Sequence, residues 1–385
     1  MQRMPTVLHL RSSTGLYGAE QVLLSLLPGL TAHGFRPVLA TLTPESQTQP
    51  ALVREAHARG LEAYALACAG RISLSTVAAV RRLATTVGAD LIHVHDYKSA
   101  VHGWLAARAR LPLVTTVHGQ CSGDLRVLIY NWIERRMARE SAQVCAVSPD
   151  LQQQLIQSGV AAHRTHAVPN GIDTTRFQPA DRTAVRRALG LPPDARVVGT
   201  AIRLAAEKRP LALLQALAQA RSLGLPSCQL LIAGDGPLRS RVEAEISALG
   251  LRDQVRLLGV RSDMAALYPA LDAFVLISER EGMPMSLLEA MACNIPPIVT
   301  PVGAIPEVLA ELPSTLVRTV ALADTTGLAH SLTGFSPPEA QRPLLRARVL
   351  ERYASSHLAR HHARIYQQAL ALPAALETPP EVQKA

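Results

Sequence analysis

The sequence predicts an α/β protein of two Rossmann-like domains that face each other across a cleft. The chain has 385 residues, which is more than one ordinary hydrophobic core holds. Buried-strand patterns alternate with helical patterns along most of it, as is typical of parallel sheets with helices on both faces. The alternation stops at 165–179, THAVPNGIDTTRFQP, a turn-rich segment, and then restarts.

The composition excludes several classes of protein. A hydrophobic content of 48% is too high for a disordered chain, and the aromatic content of 3%, without clustered basic runs, argues against nucleic acid as a partner. The five cysteines form no CxxC pair, which fits a reducing cytoplasm better than a disulfide framework or a zinc site. No apolar run approaches the roughly 20 residues that span a bilayer. We therefore expect a cytoplasmic protein that is at most peripheral to the inner face of the cell membrane.

The N-terminal half begins with a strand from Thr6, a loop containing Gly15 and Gly18, and a helix over 21–32. A strand, a glycine loop and a helix in this order favour a phosphate-facing loop, but these two glycines do not form the GxGxxG dinucleotide fingerprint. Further strands are predicted over 37–43, 62–67, 90–96, 111–119 and 143–148, with helices between them.

The C-terminal half repeats the alternation. Strands are predicted over 196–204, 228–236, 255–259, 272–278 and 296–300. Helices are predicted over 182–189, 211–223, 238–249 and from Pro284, and the segment 264–269 is left without an assignment. A looser region extends up to Pro338, and a helix-rich end covers roughly 339–370.

Two carboxylates stand out in the stretch from Ser278 to Val299. Glu281 is expected in the loop after a strand, and Glu289 about one turn inside the following helix, which separates them by roughly 10 Å. The free N–H groups of Met285, Ser286 and Leu287 at the start of that helix favour an anion. This arrangement suits a ligand with hydroxyls at both ends and phosphate in the middle, as in a nucleotide-sugar.

A basic pair and a histidine add to this candidate site. Arg203 and Lys208 follow the first strand of the second domain and could neutralise a diphosphate, although two solvated surface charges are the plainer alternative. His118 ends a buried strand and could reach a ligand, whereas a satisfied core histidine is the competing interpretation.

Two further patterns favour ordinary structural roles. His93, His95 and Asp96 could suggest a metal, but Asp96 would point away from the two histidines, so packing and local hydrogen bonding are favoured. The helix over 125–139 carries four arginines and could lie on an anionic membrane surface, yet packing on the sheet with its arginines in water is favoured.

The sequence resembles the retaining glycosyltransferases of family 4, which have the GT-B fold. The most specific part is EGMPMSLLEAMACNIPPIVTPVGAIPEVL, which looks like the E-x7-E segment of that family. Supporting segments follow the expected order, and they are GAEQVLLSL, HVHD, VHG, CAVSPDL, VPNGIDTTRFQP, IRLAAEKRP, LIAGDGPLR and VRLLG. The resemblance covers the chain from the glycine loop to about Gln368.

The resemblance implies domains at 1–177 on the acceptor side and 178–350 on the donor side, a helix over 351–370 that crosses back to the first domain, and a disordered tail over 371–385. It also implies no metal and no cofactor, since the nucleotide-sugar is a substrate. Glu289 would bind the ribose, and Glu281 would hold the sugar with the amides of Gly282 and Met283. The remaining implied positions are His118 near the reacting sugar, Arg203 and Lys208 on the diphosphate, Met285, Ser286, Gly234 and Asp235 on the donor, and Gly15 and Gly18 near the phosphates and acceptor.

Three positions depart from the family pattern. Tyr17 stands where a second glycine is frequent, Met283 replaces a common aromatic residue, and Asn294 replaces a glycine. Asn tolerates a left-handed backbone, so the last change is conservative.

The first hypothesis is thus a retaining, metal-independent glycosyltransferase that moves a sugar from a UDP- or GDP-sugar to a glycan or lipid-linked acceptor in surface polysaccharide or glycolipid assembly. A nucleotide-sugar epimerase or hydrolase on the same fold is the alternative. A binding protein with a decayed site is a third hypothesis, against which the joint presence of Arg203, Lys208, Glu281 and Glu289 argues.

Overall fold

The computed structural model describes residues 3–13, 15–47, 49–108, 110–118 and 125–371, with the backbone alone for 125–131. The chain divides into two compact units. The first unit comprises Met1–Gly171 together with Ser355–Ala385, and the second comprises Ile172–Ala354. The sequence placed the corresponding boundaries after 177 and 350.

The first unit is built on a parallel sheet of seven strands in the order β3-β2-β1-β4-β5-β6-β7. The strands are β1 (Thr6–Ser12), β2 (Arg36–Thr43), β3 (Ala63–Ala67), β4 (Leu91–Val94), β5 (Leu113–Val117), β6 (Gln143–Ala146) and β7 (Thr165–Ala167). The helices are α1 (Gly18–Ala32), α2 (Ala51–Ala58), α3 (Leu74–Val87), α4 (Tyr97–Ala107), α5 (Leu125–Glu140) and α6 (Pro149–Gln157). The strand order reverses between β1 and β4, as in doubly wound nucleotide-binding sheets.

The second unit repeats this topology with six parallel strands in the order β10-β9-β8-β11-β12-β13. The strands are β8 (Val197–Ala201), β9 (Gln229–Ala233), β10 (Val255–Gly259), β11 (Ala273–Leu276), β12 (Pro297–Val299) and β13 (Arg318–Thr319). The helices are α7 (Arg182–Ala188), α8 (Pro210–Ser222), α9 (Arg239–Ala248), α10 (Met264–Leu267), α11 (Met285–Ala292), α12 (Ile305–Leu309), α13 (Thr325–Gly334) and α14 (Pro343–Arg352). The order reverses between β8 and β11.

The last helix, α15 (Ser355–Ala371), returns to the first unit and packs on α1, as the resemblance implied. Gly29 of α1 makes the close approach possible, because a Cβ at this position would lie 2.6 Å from the Cβ of Ala359. On its inner face α15 buries His362 and Tyr366 against the sheet. Its burial therefore completes the hydrophobic cover of the first sheet.

Most strands are buried along most of their length because both faces of each sheet are covered. Val7, Leu8 and Leu10 of β1 and Phe274 and Val275 of β11 have no exposed surface. The helices are needed for this burial, since a parallel sheet exposed on one face would leave such strands in water.

One sequence expectation is corrected here. The region up to Pro338, expected to be loose, contains α12, β13 and α13, and α13 packs on α8. Short elements with weak periodicity are poorly visible in sequence, which explains the miss. The expected tail over 371–385 lies outside the described residues, apart from Ala371 at the end of α15.

The helix α5 shows two buried side chains, Met137 and Ala138, next to exposed Arg136 and Arg139. This supports packing on the sheet for its C-terminal half, and the side chains of 125–131 are outside the described set. Within the described residues, no helix is both long enough and apolar enough to cross a membrane.

Candidate functional site

The candidate donor site of the second unit is made of loops that follow neighbouring strands. Arg203 and Lys208 follow β8, Gly234 and Asp235 follow β9, and the Glu281 loop follows β11. Since all these strands are parallel, the loops lie at one edge of the sheet. The β8–β11 pair flanks the reversal of strand order, where doubly wound sheets bind their ligands.

Lys208 and Glu281 form an ion pair, with Lys208 Nζ donating to Glu281 Oε1 over 2.6 Å. The side chain of Glu281 is 8% exposed and that of Lys208 is 21% exposed. The backbone supports the pair, because Glu279 N–H donates to the carbonyl of Glu207 over 2.8 Å and so joins the two loops. The structure thus brings together two residues predicted from separate motifs 73 positions apart.

Glycine allows the backbones of this edge to approach closely. At Gly303, which has φ of 58°, a Cβ would lie 1.8 Å from the carbonyl oxygen of Glu281. At Gly234, with φ of 126°, a Cβ would lie 1.9 Å from the carbonyl oxygen of Ile202, just before Arg203. Both glycines therefore set the position of a loop that carries a charged candidate residue.

Arg203 is exposed, and its guanidinium makes no hydrogen bond or ion pair to the residues that the structure describes. Asp235 is instead engaged locally, since it accepts from the N–H of Gly236 at 2.7 Å and lies 3.5 Å from Arg239. Arg203 is consequently available to an anion, whereas Lys208 must first be drawn from Glu281 or shared with it.

The start of α11 corrects one expectation. Pro284 is the N-cap residue, and its carbonyl accepts from the N–H of Leu287 at 3.1 Å. This tightening of the first turn occupies the Leu287 N–H, which the sequence interpretation had counted as free. The N–H groups of Met285 and Ser286 have no partner among the described residues, so two donors remain for an anion.

The neighbouring Gly282 and Met283 differ in their surroundings. Gly282 is exposed, and its carbonyl accepts from Ala304 N–H at 3.3 Å. The Met283 side chain is buried in the core of the second unit. Met283 therefore anchors the loop by its side chain, which leaves its backbone as the part that a ligand could meet.

Glu289 is partly buried and accepts a hydrogen bond from the hydroxyl of Tyr268 over 2.8 Å. Burial raises the pKa of Glu289 to about 7, while the Tyr268 hydrogen bond and the positive charge of Arg176 act in the opposite direction. The pKa of Tyr268 is itself raised well above its usual value by burial and by Glu289, so this hydroxyl remains a donor. Glu289 is thus a carboxyl group that titrates near neutral pH.

In the first unit, the loop after β1 is largely closed on itself. The Ser13 hydroxyl donates to the Gly15 carbonyl at 2.7 Å and accepts from the Gly15 N–H at 3.2 Å. The ring of Tyr17 lies against Gly15, where a Cβ would meet its Cε2 at 2.9 Å. Gly18 is the first residue of α1, and Thr14 lies outside the described residues.

Charged residues near this loop are paired with protein groups. Arg11 Nε donates to Glu20 at 2.9 Å, and Glu20 also accepts from Tyr17 N–H at 3.0 Å. Asp96 accepts from the N–H groups of Ser12 at 2.7 Å and Ser99 at 2.9 Å, which fixes the β1 end and caps α4. The sequence analysis predicted neither the hydrogen bonds of Glu20 nor those of Asp96, which hold the loop in place.

His118 follows β5 directly and is half-buried. Burial, with the positive charge of Arg11 and with His362, lowers its pKa to about 3. At neutral pH the imidazole is therefore uncharged and can donate or accept one hydrogen bond. The next residue, Gly119, lies outside the described residues.

The structure brings Lys208 and Glu281 into contact, and it adds two residues that sequence reasoning missed. Tyr268 positions Glu289, and Gly303 positions the Glu281 loop. The only sequence signal for Tyr268 was a tyrosine within the mainly apolar run LYPALDAFVLIS. The only signal for Gly303 was the glycine of PVGAIP. Asn294, as expected, has a left-handed backbone, with φ of 64°.

Comparisons with known proteins agree with this topology. Residues 17–176 match the family described as Glycosyltransferase Family 4, and residues 181–319 match Glycosyl transferases group 1. Among solved structures, the Anabaena protein HepE in complex with UDP and glucose aligns with a TM-score of 0.79 at 23% identity, over 94% of this chain and 99% of that one. Sucrose-phosphate synthase from Thermosynechococcus elongatus aligns with a TM-score of 0.78 at 22% identity, over 95% and 99%.

Three curated relatives are similar in sequence. A D-inositol 3-phosphate glycosyltransferase of Saccharomonospora viridis is 33% identical over 73% of this chain and 70% of its own length. An Escherichia coli UDP-Gal:alpha-D-GlcNAc-diphosphoundecaprenol alpha-1,3-galactosyltransferase is 31% identical over 55% and 57%, and an N-acetyl-alpha-D-glucosaminyl L-malate synthase of Bacillus anthracis is 29% identical over 73% and 75%. The chain therefore belongs to the family 4 glycosyltransferases, a family of nucleotide-sugar-dependent enzymes with the GT-B fold.

Proposed function

We propose that this protein transfers a sugar from a UDP- or GDP-sugar to a hydroxyl of a glycan or lipid-linked acceptor, with retention of the anomeric configuration and without a metal ion. The observation that carries the proposal is the Lys208–Glu281 pair beside the open N-terminus of α11. It combines a cation, a carboxylate and two free backbone donors at the edge where such sheets bind ligands. These are the groups that a diphosphate joined to a sugar requires.

The nucleotide-sugar lies along the carboxyl ends of the strands of the second sheet, with its ribose at Glu289 and its transferred sugar at Glu281. The carboxylate of Glu289 accepts hydrogen bonds from the ribose hydroxyls, which take the place of water. Arg203 and the amides of Met285 and Ser286 bind the diphosphate, and Glu281 accepts from hydroxyls of the transferred sugar. Tyr268 positions Glu289 and touches no substrate.

In the transfer step, the bond between the anomeric carbon and the diphosphate oxygen breaks, and a bond from the acceptor oxygen to that carbon forms on the same face. The acceptor proton passes to the departing diphosphate oxygen. Lys208, Arg203 and the α11 dipole stabilise the negative charge that develops on the leaving group, which is work that a metal ion does in other enzymes. His118, neutral at pH 7, is assigned to a hydroxyl of the reacting sugar.

The proposal rests on family membership for the reaction and on the relatives for the substrates. The Escherichia coli relative is named for a UDP-sugar donor and a lipid-linked acceptor, and HepE was solved with UDP and glucose. We extend both, as classes of molecule, to this chain. Transfer in surface polysaccharide or glycolipid assembly is part of the same proposal.

The test is a panel of UDP- and GDP-sugars incubated with the purified protein, with and without glycan and lipid-linked acceptors, in the presence of EDTA. We expect acceptor-dependent release of the nucleoside diphosphate and, by proton NMR, a product with the anomeric configuration of the donor. An inverted product would contradict retention, and loss of turnover in EDTA by protein that circular dichroism shows to be folded would contradict metal-independent catalysis. Conversion of the donor without any acceptor would favour a hydrolase or an epimerase instead.

A further inference from the structure

Three histidines lie side by side on one face of the first sheet. His9 of β1 is opposite His93 of β4 in the strand register, and His95 lies two positions beyond His93, hence on the same face. His9 and His93 have no exposed surface, and His95 is 5% exposed. A cluster of buried imidazoles needs a physical account, since histidine is not a common residue of fully apolar cores.

The geometry of the cluster is close to that of a shared ligand set. His9 Nδ1 and His95 Nε2 are 3.1 Å apart, and one ring nitrogen from each of the three histidines lies within 4.8 Å of the others. Zinc binds imidazole nitrogen at about 2.0–2.1 Å, so two nitrogens in a tetrahedral site are about 3.3 Å apart. The His9–His95 separation of 3.1 Å is close to this value, and His93, whose ring nitrogen lies within 4.8 Å of the other two, needs a shift of at most about 1.5 Å to join them.

The two nitrogens of His9 differ in their surroundings. His9 Nδ1 lies within hydrogen-bond distance of His95 Nε2, whereas His9 Nε2, on the other side of the ring, is buried and has no hydrogen-bond partner among the described residues. The His93 nitrogens face two hydroxyls, those of Tyr366 at 2.6 Å and Thr116 at 2.7 Å. If one of them bound a metal, the other could still donate to its hydroxyl, which is the usual support of a metal-bound histidine.

We propose that His9, His93 and His95 form a binding site for a divalent transition-metal ion of the zinc class, buried between the first sheet and α15. The ligands come from two strands, β1 and β4, and the hydroxyl of Tyr366 on α15 supports the site from the other side. The ion stabilises the first unit and takes no part in sugar transfer. Asp96 is not a ligand, because both of its oxygens accept from backbone N–H groups.

A second set shares His93. It consists of His93, Cys145 and His362, whose ligand atoms also lie within 4.8 Å of one another. One ring nitrogen of His362, Nδ1, already faces the carbonyl oxygen of Leu358 at 2.9 Å, and a cysteine binds a metal only after its thiol has lost the proton. Imidazole binds a metal as a neutral ligand, so the three histidines of the first set are preferred.

The test uses untagged, full-length protein stripped with a chelator and then titrated with Zn²⁺ against a chromophoric competitor. We expect one tight site per chain, which His9→Gln and His95→Gln weaken by at least about 100-fold. His102→Gln is the matched control, because His102 is a buried histidine of the same unit outside the cluster. Unchanged Zn²⁺ affinity in the His9 variant, or no site tighter than about 1 mM in the wild type, would overturn the proposal.

Two further measurements keep the proposal testable if a variant does not fold. Co²⁺ added to the wild-type protein is expected to give the visible absorption of a tetrahedral nitrogen site without a sulfur-to-metal band in the near ultraviolet. Zn²⁺ is expected to raise the melting temperature of the wild type and of Cys145→Ser equally. A sulfur-to-cobalt band, or loss of the thermal shift in Cys145→Ser, would assign the metal to the other set and overturn the one proposed.

Discussion

The two units share one topology but differ in the chemistry of the edge where strand order reverses. In the first unit, Arg11, Glu20 and Asp96 are engaged by protein groups, so these three charged side chains are satisfied before any ligand arrives. In the second unit, Arg203 and two α11 amides have no partner within the described chain. A shared fold therefore gives the place of a ligand edge, whereas the residues on its loops decide how strongly that edge attracts an anion.

Among these substitutions, Lys208→Ala is expected to reduce the activity of the candidate donor site in the second unit the most. It removes the cation that we propose stabilises the leaving diphosphate, and it leaves Glu281 without its ion-pair partner, so kcat/KM should fall by about 10²- to 10³-fold. Steady-state kinetics of nucleoside diphosphate release measures it. Arg241→Ala, which removes an exposed arginine of α9, is the control and should change the rate by less than about twofold. Equal activity in the two variants would remove Lys208 from the mechanism.

His118→Ala tests whether the nucleotide binds at the carboxyl ends of the strands of the first unit, where His118 lies. The histidine is assigned to the reacting sugar, so kcat should fall by about 10²-fold. The dissociation constant for UDP or GDP, measured by calorimetry, should stay within about twofold, because the proposed nucleotide-binding groups all belong to the second unit. His33→Ala, at an exposed position of the first unit, serves as the control. Weakened nucleotide binding in His118→Ala would contradict this division of roles.

Gly303→Ala tests whether the position of the Glu281 loop matters for activity, because it moves this loop of the second unit without removing a charge. The new Cβ would lie 1.8 Å from the Glu281 carbonyl oxygen, so the loop must shift, and we expect kcat/KM to fall by about 10- to 100-fold. Gly334→Ala is the matched control, since a Cβ there has no neighbour within 4 Å. A Gly303→Ala enzyme with normal kinetics would show that the position of this loop is not critical.

Tyr268→Phe is expected to give the smallest effect, a rise of about tenfold in the donor KM with little change in kcat. Burial raises the pKa of Glu289 to about 7, and in the proposed donor site its ionised form accepts from the ribose hydroxyls, so donor affinity should increase as pH rises through 7. The Tyr268 hydrogen bond lowers that pKa, and its loss should move the increase to higher pH.

The pH dependence of KM between pH 6 and 9 checks this prediction. Tyr353→Phe, at another buried tyrosine of the second unit, is the control for the loss of a hydroxyl. If the Tyr268→Phe profile coincides with that of the wild type, Tyr268 does not position Glu289.

Much of the candidate donor site in the second unit could be predicted from sequence, because its residues lie next to recognisable strand and helix patterns. Lys208 follows a strand-like run, and Glu281 precedes a helix that starts after a proline, so strand ends alone placed both at the same edge. The prediction that the Leu287 N–H is free was wrong, because this group donates to the carbonyl of Pro284. Whether the first turn of a helix forms such a bond depends on backbone dihedral angles, which the residue types do not determine. The helices α12 and α13 were missed for a similar reason, since their short apolar patterns are stabilised by contacts with distant helices.

The sequence by itself determined the α/β class, the two successive alternations, the loops that carry charge and the left-handed position at Asn294, because each depends on neighbours within a few residues. Only the tertiary structure decided which groups meet. The Lys208–Glu281 pair, the Tyr268–Glu289 hydrogen bond and the His9–His95 contact join residues 73, 21 and 86 positions apart. Strand order and register set these contacts, and they depend on how the whole sheet packs.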